Sequence, residues 1–188
     1  MFRPPVIASG TAIVCQRGAG RRRAQAGMKT PPVLWNTPIQ RQEQIGSRFM
    51  TTVTVSEDIK GKAADVWARL SDFGGIRVGG PVTSFAVEGQ GVGMIRTIGM
   101  NGGKVVERLD SHDPAAMVFT YSIRNDDCPL PVRGYSATVT ITDRGDGTCN
   151  VHWTGTFEPK GAPAADAIKV VEGIYRGGIA GARKAVGS

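Results

Sequence analysis

Tyr135-Ser136-Ala137-Thr138-Val139-Thr140-Ile141-Thr142 alternates apolar with hydroxyl-bearing side chains over eight residues. Successive side chains of a strand point to opposite faces, so Tyr135, Ala137, Val139 and Ile141 meet a core while the serine and threonines meet water. The sheet that contains this strand is therefore covered on one side only. Upstream, residues 82–88, 91–99, 104–110 and 117–123 are short runs divided by turn residues, and residues 149–157 follow downstream. Six strands in succession mean an antiparallel sheet. Farther upstream, residues 51–59 alternate and read as another strand. Residues 63–73 set Val66, Trp67, Leu70 and Phe73 on one helical face before Gly74-Gly75 ends it, and residues 76–81 form a Gly-rich loop.

The cover for the apolar face must come last. Residues 163–186 place Ile168, Val171, Tyr175, Ile179, Ala182 and Val186 on one stripe at three- and four-residue spacing, a long amphipathic helix. It carries Gly173, Gly177, Gly178 and Gly181, each costing roughly 0.5–1 kcal/mol relative to Ala in a helix interior. Such glycines imply either close packing or space left open. The predicted fold class is α+β, the helix-grip fold, with a curved antiparallel β-sheet wrapped around a long C-terminal α-helix.

The chain has 188 residues, with 23 Lys+Arg against 16 Asp+Glu. Residues 1–49 hold eight of the basic residues and one acidic, which leaves 15 of each in residues 50–188. The net +7 thus belongs to the N-terminal segment, and the part expected to fold, 50–188, is formally neutral. That removes the charge argument for a nucleic-acid partner. Residues 1–49 are rich in Gly, Pro, Arg and Gln and lack apolar periodicity, so they are expected to be disordered and dispensable. They read as an extension upstream of a start at Met50, as an Arg-rich organelle leader if the source is eukaryotic, or, less well, as an export signal. A basic nucleic-acid arm would want aromatics interleaved with its arginines, and the cluster at residues 17–23 has none. The expected location is the cytoplasm, or an organelle if the leader is real. No apolar run approaches the roughly 18 residues that cross a bilayer, so no stable membrane insertion is expected.

Cys15, Cys128 and Cys149 are odd in number and widely spaced, which implies neither a disulfide framework nor a zinc site. His112 and His152 are the only histidines, too few for a three-histidine centre, and His112 in Asp110-Ser111-His112-Asp113-Pro114 reads as a turn residue. Gly89-Gln90-Gly91-Val92-Gly93 joins strand to strand and opens no helix, so it is a hairpin turn and not a dinucleotide loop. Asp143-Arg144-Gly145-Asp146-Gly147 lacks the following bidentate glutamate of a calcium loop. No metal and no cofactor are expected.

Asn101-Gly102 signals a two-residue hairpin turn, a type that asks for positive φ at both positions. With Met100 opposite Gly103, Ile98 faces Val105, Arg96 faces Glu107 and Met94 faces Leu109, all on one side of the sheet. One reading is a surface ion pair contributing under about 1 kcal/mol. The other is that the apolar neighbours mark the inward face, so that both charges line a cavity between sheet and terminal helix and orient a polar group of a ligand.

Several segments carry a family resemblance: Ala64-Asp65-Val66-Trp67 with Asp72-Phe73-Gly74-Gly75, Arg96, Glu107-Arg108-Leu109, Leu130-Pro131-Val132 with Tyr135, Trp153 through Phe157-Glu158-Pro159, and Glu172-Gly173-Ile174-Tyr175. In order and spacing, residues 51–185 resemble the bacterial polyketide cyclase/dehydrase and lipid-transport proteins of the START-like (SRPBCC) superfamily, and more distantly the plant abscisic acid receptors. The resemblance implies that Arg96 and Glu107 face or border a ligand cavity and that Tyr135 supplies a hydroxyl to it. Ile98, Val105 and Ala137 join the candidate wall. Tyr121 and Trp153 fit as wall residues or equally as ordinary core aromatics.

There are departures. Relatives often place an aromatic and a histidine before the proline of the loop after the first helix, where this chain has Arg77-Val78-Gly79-Gly80-Pro81, so a wider mouth is expected. The gate and latch sequences of the plant receptors have no counterpart in residues 99–103 or 130–133, and abscisic acid recognition is not implied. Three functions compete. The first is a carrier or sensor of a small hydrophobic molecule with a polar group. The second is an aromatase/cyclase-like enzyme in which Glu107 or Tyr135 moves protons while Arg96 stabilises an enolate. The third is an interaction module with a vestigial cavity. A bulky side chain at Ala137 is expected to block the first two. Oligomeric state is not legible.

Overall fold

The computed structural model describes residues 50–187; the expectations for residues 1–49 lie outside them. Its elements are β1 (Thr51–Lys60), α1 (Ala63–Leu70), β2 (Val82–Glu88), β3 (Ile95–Met100), β4 (Gly103–Asp113), β5 (Val118–Ile123), β6 (Val132–Asp143), β7 (Thr148–Pro159) and α2 (Ala164–Val186). The seven strands form one antiparallel sheet in the order β1-β7-β6-β5-β4-β3-β2. β2 to β7 run as a meander, and β1 closes it by pairing with the last strand. The alternation of residues 135–142 sets the faces: Tyr135, Ala137, Val139 and Ile141 are each at most 5% exposed.

α2 buries Ala167, Val171, Tyr175, Ile179 and Ala182. It lies against β1, β7 and α1. β2 and β3 contain almost no buried residue. The helix thus covers one half of the concave face, and the space over the other half becomes the site.

Local chemistry adjusts the predicted boundaries. α1 stops at Leu70, where the Ser71 N–H returns to the Trp67 carbonyl at 2.9 Å, and Phe73 reaches the core from the following turn. The strand expected over 91–99 starts at Ile95, because Gly91 and Gly93 take φ of 62° and 92° and the Met94 N–H bonds the Gly91 carbonyl. Gly93 and Met94 both bond Leu109, a two-against-one bulge that keeps Met94 beside Leu109. His112 is not a turn residue: β4 continues through it, paired with Phe119, and its ring lies 5.0 Å from that of Trp67. The turn comes after, where Asp113 Oδ1 accepts the N–H groups of Ala115 and Ala116 and Met117 takes φ of 52°. Among the described residues no helix is long and apolar enough to cross a membrane, and no three side chains cluster to hold a metal.

Candidate functional site

The β3–β4 hairpin turns at Asn101-Gly102, with positive φ at Gly102 (97°) but not at Asn101, so the turn departs from the expected type. The register is unaffected: Met100 pairs with Gly103, Ile98 with Val105 and Arg96 with Glu107. Glu107 alone is both charged and buried among the described residues. Arg96 Nε donates to Glu107 Oε2 at 2.5 Å and Nη1 to the Phe73 carbonyl at 3.4 Å, and the guanidinium lies 3.9 Å from the centre of the Phe73 ring. These side chains are only 12% and 9% exposed, so the surface-pair reading is set aside. Desolvated charges of this kind persist because each satisfies the other.

Beside the pair lies a cavity of about 1060 Å³ between the sheet and α2. Arg96, Glu107, Ile98, Val105, Tyr121 and Trp153 line it. Tyr135 and Ala137 do not. Ala137 is enclosed in the sheet between Tyr121 and Gly155, its partners on β5 and β7. The Tyr135 hydroxyl is engaged at 3.1 Å by that of Tyr121 and at 2.7 Å by that of Tyr175, so it belongs to the layer behind the wall. Burial raises all three phenols: Tyr121 and Tyr135 well above the usual value, with the Glu107 carboxylate adding to Tyr121, and Tyr175 up to about 12. They are neutral hydrogen-bonding groups.

Sequence reading missed the opposite wall. Val170, Gly173, Ile174, Gly177, Gly178 and Gly181 of α2 face the cavity, and their three- and four-residue spacing is a second stripe beside the buried one. Both readings of the glycines apply, to different residues. A Cβ at Gly178 would stand 2.8 Å from Trp153 Cζ3, so this glycine lets the indole stack on Tyr175 with ring centres 4.8 Å apart. A Cβ at Gly173, Gly177 or Gly181 meets nothing within 4 Å. At the mouth stand the exposed Arg69, Asp72, Arg77 and Lys184, also unforeseen.

A family model described as polyketide cyclase/dehydrase and lipid transport matches residues 50–187. No curated protein matches. Among solved structures, a protein from Bacillus thuringiensis is 28% identical, with a TM-score of 0.62 over 72% of this chain and 98% of its own. XoxI from Bacillus cereus is 27% identical, with a TM-score of 0.63 over 72% and 95%. Ara h 8.0201, at 19% identity and a TM-score of 0.60 over 72% and 97%, shares the fold. A seven-stranded sheet gripping a long terminal helix, matched over the whole described region, makes this chain a member of the polyketide cyclase/dehydrase and lipid-transport family of the START-like (SRPBCC) superfamily.

Proposed function

We propose that the protein binds a small hydrophobic molecule bearing a polar group, as a carrier or sensor, in the cavity between β3–β5 and α2. The observation that carries this reading is the set of three α2 glycines whose missing side chains leave open space over the cavity. Together they cost the helix roughly 1.5–3 kcal/mol relative to alanine. A helix under selection for stability alone has no use for them there, and departures from local preference gather at functional sites. Ile98, Val105, Trp153, Val170 and Ile174 offer the apolar wall. Arg96 Nη2 and Glu107 Oε1 have no partner among the described residues, so the paired charges present a donor and an acceptor side by side to a hydroxyl or carbonyl. The proton-transfer reading gains no comparable support, because Tyr135 lies behind the wall and Glu107 is tied to Arg96.

Gly177 replaces Ala137 as the position to test. Gly177→Ala is expected to stabilise the protein by about 0.5–1 kcal/mol, read by denaturant unfolding. Gly177→Trp is expected to retain the fold, to lose binding of the neutral dye Nile red, and to lose any mass that co-purifies with the parent protein in native mass spectrometry. Undiminished dye binding by a folded Gly177→Trp protein would overturn the reading.

A further inference from the structure

From the charge distribution around the cavity we infer that its mouth selects an anionic group, so that the ligand is an amphiphile with a carboxylate or phosphate on an apolar body. This rests on the cavity-binding reading and names its ligand class. Residues 50–188 are formally neutral as a whole. The cavity is not. Its lining carries Arg69, Arg77, Arg96 and Lys184 against Asp72 and Glu107. Arg96 and Glu107 cancel each other in the buried pair. Exposed at the mouth are the cations Arg69, Arg77 and Lys184 and the carboxylate of Asp72.

The three cations come from three elements: the last turn of α1, the loop before β2 and the last turn of α2. A cation near a helix C-terminus complements the helix dipole, which accounts for Arg69 and Lys184 without any ligand. It does not account for Arg77, nor for all three bordering one apolar cavity. Arg69 and Arg77 form no ion pair or hydrogen bond among the described residues. Asp72 forms no ion pair with either of them among the described residues, and its carboxylate lies over Gly75. Two guanidinium groups whose N–H groups have no partner among the described residues, at the edge of a cavity whose deeper charges are already paired, suit a forked anion. A ligand would lie with its apolar body against Ile98, Val105 and Trp153 and its anion at the rim that carries Arg69 and Arg77. An uncharged mouth would hold the same body without distinguishing head groups.

The test uses the full chain, with bound Nile red displaced by dodecanoate, dodecyl phosphate or the neutral dodecanol. At least one anion is expected to displace the dye roughly tenfold more effectively than dodecanol at low salt, with the preference shrinking at high salt, as for exposed charge pairs. The larger of the two anion effects identifies carboxylate or phosphate as the preferred head. In an Arg69→Gln/Arg77→Gln double variant the preference is expected to vanish while dodecanol competes as before. Because the variant retains the basic residues 1–49, a preference that persists in it would arise elsewhere and overturn the assignment. Equal displacement by all three in the parent protein would overturn it too, with the cavity reading intact. Failure of the parent to bind Nile red at all would instead sink the cavity reading beneath it.

Discussion

Replacing Arg96 with Met is expected to destabilise the protein by roughly 3–5 kcal/mol, because it strands the Glu107 carboxylate in a site where its side chain is 9% exposed. Glu107 lines the cavity and is not sealed in packed core, which places the loss toward the lower end of that range. Methionine reaches over Phe73 much as the arginine stem does, so the cost is mainly electrostatic and not a packing defect. Adding Glu107→Leu to Arg96→Met is therefore expected to recover most of the stability, since two apolar groups of similar volume replace a desolvated pair. The double variant is expected to lose the donor and acceptor that meet the ligand's polar group, and with them affinity for the native ligand. Denaturant unfolding of the parent, single and double variants separates these effects. A single variant as stable as the parent would show that the pair is not desolvated, and unchanged native-ligand binding by the double variant would show that the pair does not orient the ligand.

The second large effect concerns the three phenols, which are every tyrosine in the chain. An ordinary tyrosine ionises near pH 10. Here burial pushes all three higher; the hydrogen bonds that link Tyr121, Tyr135 and Tyr175 raise Tyr135 further and offset part of the rise at Tyr121 and Tyr175. The folded value exceeds the unfolded one, so the stabilisation is present in full below about pH 10 and is lost as pH rises through the folded values, about 12 for Tyr175 and well above the ordinary value for Tyr121 and Tyr135. For Tyr175 alone, a phenol pushed up to about 12 corresponds to roughly 3 kcal/mol. Phenolate absorbance is expected to be nearly absent from the folded protein at about pH 11 and to appear together with loss of the tertiary signal. Three phenols titrating near pH 10 in a folded protein would contradict the buried chain.

The arginine–glutamate pairing was legible in the sequence, whereas the tyrosine chain was not, and the difference is one of range. A hairpin is closed by the chain itself, so a turn at Asn101-Gly102 sets the register of Arg96 and Glu107 whatever the rest of the molecule does. The turn's own φ angles and the bulge at Gly93-Met94 were less legible, because several local geometries satisfy the same register. His112 looked like a turn residue in a polar run, yet cross-strand pairing with Phe119 extends β4 past it. Tyr121, Tyr135 and Tyr175 come from β5, β6 and α2, and nothing local brings their hydroxyls together.

The sequence by itself determined which side chains face inward. Alternation along residues 135–142 and the stripe on α2 depend only on the periods of strand and helix, and burial follows them. It did not determine which inward side chains meet a core and which meet a cavity. That depends on where α2 crosses the sheet. Lying over β1 and β7, the helix seals Tyr135 and Ala137 beneath packed side chains and leaves Arg96, Ile98, Val105 and Glu107 of the uncovered half facing open space. The gathering of Arg69 and Arg77 with Lys184 at one mouth likewise has no local signal, because the segment from α1 to β2 meets the far end of α2 only once the sheet has curved around the helix.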